Sequence, residues 1–80
     1  MKLEIGKLYK IKFKRLLNEG STFKYSSSCI RTDSVFLLLD LILRKNKPLK
    51  LNKFKVLTEN GIIGWIVTGM NAESLFTAIS

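Results

Sequence analysis

Residues 8–15 alternate, with Tyr9, Ile11 and Phe13 on one parity and Lys10, Lys12 and Lys14 on the other. Period two marks a half-buried strand, so the three apolar groups are expected inside and the lysines in water. Residues 16–31 break the pattern. Asn18-Glu19-Gly20 reads as a turn and Ser26-Ser27-Ser28 as a polar loop, with at most a short strand over residues 22–25. From Val35 to Leu43 the chain is apolar on both parities, interrupted only by Asp40. Leucine favours helix, but the neighbouring strands and the turn at residues 45–48 favour a strand, buried on both faces or bending between two layers. Asp40 then belongs at a bulge, at an edge, or beside a lysine.

The last third carries the clearest local signal. Phe54, Val56 and Thr58 alternate with Lys53, Lys55 and Leu57, and Asn60-Gly61 separates this run from Ile62-Ile63-Gly64-Trp65-Ile66-Val67. An Asn-Gly step between two apolar-rich runs predicts a β-hairpin. Gly64, inside the return strand, predicts a sharp bend or the close approach of another element. Asn71 or Ser74 can start a single helical or 3₁₀ turn, and residues 75–79 suit a short closing strand. The expectation is an all-β domain of five strands over residues 1–80, closed to protect its edges.

Composition sharpens this in two ways. At 80 residues, the chain supports one thin core, and its 46% hydrophobic content excludes a disordered tail. Cys29 is the only cysteine and histidine is absent, so neither an intrachain disulfide nor the common zinc patterns can form within one chain. No apolar run approaches a membrane span, and the N-terminus lacks a signal-peptide pattern. No cofactor and no membrane association are expected, and a cytoplasmic location is the default.

The segment of residues 54–79 resembles the closing part of SH3-like barrels of bacterial and viral type. In that family a long irregular loop follows the first strand, here residues 16–31. A tight distal hairpin comes later, here at residues 58–62. Then a glycine–aromatic–aliphatic strand, Gly64-Trp65-Ile66-Val67, leads through a 3₁₀ turn at residues 70–74 to the terminal strand. The resemblance implies a small five-stranded barrel. Signalling SH3 domains carry an acidic specificity loop, a tryptophan pair and a Pro-then-Tyr near the 3₁₀ turn. Here Glu19 is the only acid of residues 16–31, and Thr68-Gly69-Met70 stands in place of the Pro and Tyr. Recognition of proline-rich peptides is therefore not expected.

Charge supplies the functional expectation. The net charge is +8, and the basic residues concentrate in residues 2–15 and 44–55, with none beyond Lys55. Such a field attracts polyanions or an acidic protein surface. The first reading is a non-catalytic nucleic-acid-binding protein that neutralises phosphates with Lys10, Lys12, Lys14, Arg15, Lys45, Lys47, Lys53 and Lys55. Phe23 and Tyr25, in the loop, are its candidates for stacking on DNA or RNA bases. The alternative is a protein–protein interaction module, such as a viral or mobile-element accessory protein, meeting its partner through Leu57, Ile63, Trp65 and the 16–31 loop. Lysines on the wet side of a strand also need no function beyond solvation and discouraging edge pairing. Nothing supports an enzyme: Cys29 has no histidine to activate it, Asp33 and Asp40 make no paired-carboxylate site, and no glycine-rich phosphate loop occurs. Oligomeric state is open.

Overall fold

The structure, a computed structural model, describes residues 3–18, 25–43 and 51–79, and for residues 25–27 the backbone alone. Among these residues the chain forms strands β1 (Leu8–Ile11), β2 (Arg15–Asn18), β3 (Tyr25–Ile30), β4 (Val35–Ile42), β5 (Asn52–Thr58) and β6 (Ile63–Thr68). A single helical turn, α1 (Ala72–Leu75), and strand β7 (Phe76–Ala78) follow. The strands form one sheet in the order β3-β2-β6-β5-β4-β1-β7, and every pairing is antiparallel. The sheet curls into a half-barrel.

The all-β expectation holds, but there are seven strands where five were expected. Two segments account for the difference. The run of residues 8–15 is not one strand: β1 ends at Ile11, the chain bends at Lys12 and Phe13, and β2 begins at Arg15. Tyr9 and Ile11 enter the core as the alternation requires, whereas Phe13 is 52% exposed. The Lys12 N–H still donates to the Leu75 carbonyl at 2.8 Å, in register with the β1–β7 pairs, and the chain leaves the line of β1 only beyond it, which breaks the side-chain parity at Phe13. Residues 16–31 are likewise not an irregular loop throughout, since β2 and β3 pair across them with a register shift between Leu16 and Asn18.

β4 is a strand, and its two parities take different surroundings. Phe36 and Leu38 are fully buried, while Val35, Leu37 and Leu39 on the other parity are only half-buried. Among the described residues no second layer covers its outer face. Asp40 sits where the β4–β5 register shifts, its carboxylate Oδ1 accepting the Leu41 N–H at 2.8 Å, and it lies opposite Lys55.

The core is built from Tyr9, Ile11, Leu17, Ile30, Phe36, Leu38, Phe54, Val56, Ile66, Leu75 and Phe76. The buried Tyr9 keeps its hydroxyl satisfied by accepting the Glu4 N–H at 2.8 Å. Asn71 caps α1, its side-chain oxygen accepting the Ser74 N–H at 3.0 Å, and the Phe76 N–H returns to the Ala72 carbonyl. The turn before the last strand is thus α rather than 3₁₀.

The Asn60-Gly61 hairpin forms as a three-residue loop. The Gly61 N–H donates to the Thr58 carbonyl at 3.0 Å, and the Thr58 N–H donates to the Ile62 carbonyl at 2.8 Å. Gly61 has φ +80°, whereas Asn60 keeps a negative φ, so this is a tight turn closed by a left-handed glycine. Only Gly61 needs the left-handed conformation. Gly61→Ala is expected to lower stability by about 1 kcal/mol, read from the urea unfolding midpoint, while Asn60→Ala costs less. Equal midpoints for the two variants would contradict this account of the turn.

Candidate binding surfaces

One cross-strand row on the outer face is apolar from end to end. Leu8 lies opposite Leu37, Leu37 opposite Leu57, and Leu57 opposite Ile63. Residues opposite each other in antiparallel strands share a face, so the four side chains form a line about 14 Å long across β1, β4, β5 and β6. Its ends are open: Leu8 is 49% and Ile63 58% exposed. Trp65, two residues beyond Ile63 and half-buried, lies on the same parity. Beside the row, Leu8, Val35, Leu37, Leu57 and the rim residue Glu59 enclose a shallow depression of about 210 Å³. The Glu59 Oε1 accepts the Val35 N–H at 2.7 Å, which fixes the carboxylate at this rim.

The row is bordered by cations. Lys10 lies opposite Val35 at one flank. On the other flank Lys55 stands between Asp40 and Trp65, and Lys53 between Ile42 and Val67. Both lysines of β5 are half-buried, their stems lying along the sheet. Lys10 and Lys55 are separated by two strands and four residues of rise, roughly 16 Å on a flat sheet.

The other expected cations lie elsewhere. Lys12 and Lys14 are exposed on the bend after β1, and the Lys12 ammonium donates to the Glu73 carbonyl at 2.8 Å. Arg15 is half-buried; its Nη2 contacts the Met70 sulfur, and its Nε is buried with no partner among the described residues. The lysines of the two charge clusters that are described therefore do not converge on one stripe, and an apolar row lies between Lys10 and Lys55. Lys45 and Lys47, and the stacking candidate Phe23, fall outside the described residues. Tyr25 contributes its backbone to β3 opposite Asn18, and its side chain is likewise outside them. Leu57 lies opposite Ile63, and Trp65 is on the same face two residues along β6. The sequence reading missed Leu8 and Leu37, although their parity with Lys10 and Val35 was a usable signal once β4 was placed beside β1.

A second, polar depression of about 100 Å³ is lined by Cys29, Ile30, Arg31, Ser34, Thr58, Glu59 and Asn60. Cys29 is half-buried there as a free thiol. Among the described residues no group of three His, Cys, Asp or Glu side chains could hold a metal ion, and no helix is long and apolar enough to cross a membrane. Comparison with protein-family models, curated proteins and solved structures finds no match to this chain.

Proposed function

We propose that this protein is a non-catalytic interaction module that docks an acidic protein partner on its outer sheet face. The observation that carries this reading is the unbroken row Leu8–Leu37–Leu57–Ile63, exposed at both ends and bordered by Lys10 and Lys55. Isolated exposed leucines are ordinary, but a contiguous apolar row across four strands is a feature that partners cover. The flanking cations select an occupant with acids beside its apolar contacts, which also speeds encounter. A second copy of this chain is the poorer occupant, since each copy carries +8.

The path of the chain supports reading the fold as SH3-like. A first strand is followed by a long excursion, now the β2–β3 hairpin. Two long strands, a tight hairpin, a one-turn helix and a closing strand paired with β1 come after it. That is the order the resemblance requires. Among the described residues the aromatic groove of proline-rich peptide readers has no counterpart, and the outer row is the apolar surface offered to a partner.

Ile63→Asp tests the proposal. The side chain is exposed, so the substitution is expected to cost only about 0.5–1 kcal/mol of stability. Capture of a partner from native lysate should fall at least about tenfold, because an anion is placed in an apolar contact. Capture of that partner should persist in nuclease-treated lysate, and high salt should weaken it. Equal capture by wild type and variant sinks the reading. So does capture that disappears with nuclease, which would favour nucleic acid, or a dimer found at micromolar concentration by sedimentation.

A further inference from the structure

We infer that the bend between β1 and β2 is a contact site for single-stranded nucleic acid, with Phe13 stacking on a base and Lys12, Lys14 and Arg31 meeting phosphates. This site is separate from the apolar row and goes beyond the docking function proposed for it. Phe13 is the starting point. Its parity places it with Tyr9 and Ile11, yet those two are 4% and 0% exposed while Phe13 is 52% exposed. A phenyl ring held half in water forgoes a substantial gain from burial. Stacking on the flat face of a base would bury it.

The bend is fastened. Its first residue is tied by two bonds of 2.8 Å, from the Lys12 N–H to the Leu75 carbonyl and from the Lys12 ammonium to the Glu73 carbonyl. Just before it, the Ile11 N–H donates to the Ser34 carbonyl at 3.0 Å and the Ile11 carbonyl accepts the Asp33 N–H at 2.9 Å. A ring presented from a fixed backbone loses little freedom on binding.

Cations adjoin it along the chain. Lys12 and Lys14 flank Phe13 and are exposed, and the Lys12 ammonium retains two donors beyond the one on Glu73. Arg15 lies opposite Ile30, and Lys14 and Arg31 are the next residues toward the open end of the β2–β3 pairing. Two exposed cations at that end favour a phosphate there. Asp33 and Glu73 belong to the same end of the molecule, so the field there is mixed and moderate. The fit is to a strand whose phosphates are spaced around a stacked base, rather than to the uniform charge of a duplex. An aromatic between lysines is the combination that single-strand binding proteins use.

Titration of the full chain with a fluorescent oligothymidylate and an oligouridylate at about 50 mM salt tests this. Wild type should bind, with affinity falling as salt rises at a log–log slope of about −2 for three phosphate contacts. Phe13→Ala should weaken binding about tenfold without changing that slope, and Phe13→Trp should restore affinity and show indole quenching on binding. Lys14→Gln with Arg31→Gln should flatten the slope by about one or more. No binding at 50 mM salt, or binding by Phe13→Ala equal to wild type, overturns the inference. Phe13-dependent binding to anionic phospholipid vesicles with none to either oligomer overturns it as well. Ile63→Asp should bind the oligomers as wild type does, so this site and the docking face fail or succeed independently.

Discussion

Phe76→Ala is expected to leave the chain largely unfolded at 25 °C. The Phe76 ring is 1% exposed and meets Phe36 and Phe54 edge-on, at centroid distances of 4.9 Å each, with Tyr9 at 6.4 Å. It is the one ring that touches the other three buried aromatics of the core, so it joins β7 to β1, β4 and β5. Truncating a buried phenylalanine to alanine costs about 3–5 kcal/mol, from lost transfer energy and the cavity left behind. Edge-on ring pairs add about 0.5–1.5 kcal/mol each beyond their area. A domain of this size has about 4–12 kcal/mol of total stability, so one such change removes most of it. Loss of near-ultraviolet circular dichroism together with a non-cooperative urea transition is the expected result. Phe76→Leu should remain folded with a lowered midpoint. A Phe76→Ala variant that unfolds cooperatively within about 1 kcal/mol of wild type would mean that β7 is not integral to the core.

Gly64→Ala should cost about 1–3 kcal/mol through overpacking, with the larger Gly64→Val beyond that. A Cβ at position 64 would stand 2.9 Å from Leu17 Cβ and 3.2 Å from Leu17 Cδ1. Leu17 is fully buried, and its Cβ is fixed to the backbone of β2, so it cannot swing aside as a flexible tip would. The two strands must separate. Among the described residues the β2–β3 hairpin pairs with the rest of the sheet here, through the Asn18–Trp65 pairing and a bond from Asn18 Nδ2 to the Trp65 carbonyl at 3.3 Å. Trp65 fluorescence should therefore report the change directly, and hydrogen exchange should rise across β2 and β3 before it rises in β4 and β5. Ala at position 64 with an unchanged urea midpoint would show that β2 and β6 do not approach this closely.

These two residues also mark how legible the sequence was. Gly64 was readable as a site of bending or close approach, but not the element that approaches. Leu17 lies in a stretch whose turn and serine signals pointed to a loop. The Asn60-Gly61 hairpin was legible, and the Asn71 cap and the bulge at Asp40 were each among the alternatives the sequence offered, because each depends on chemistry within a few residues: a left-handed glycine, a side-chain acceptor three residues before its donor, a carboxylate inside an apolar strand. Phe13 was misread for the opposite reason. Period two says which side chains share a face only while the strand continues, and here it stops at the bend after Ile11.

The candidate surfaces divide in the same way. Leu57, Ile63 and Trp65 were visible as outward positions around a predicted hairpin, and the lysines as the wet side of their strands. That Leu8 and Leu37 extend the row was not visible, because it depends on β4 lying between β1 and β5.

By itself, then, the sequence determined the all-β class, the strand parities of Tyr9, Ile11, Phe54 and Val56, the tight hairpin, and the excess of positive charge. Each follows from periodicity, turn chemistry or composition, which act over a few residues or need no positions at all. Only the tertiary structure decided that the first run breaks into two strands, that the loop becomes a hairpin, that Phe13 faces water, and that four apolar side chains line up across four strands. Those outcomes depend on strand order and register, which are set by packing and hydrogen bonds between residues far apart in the chain.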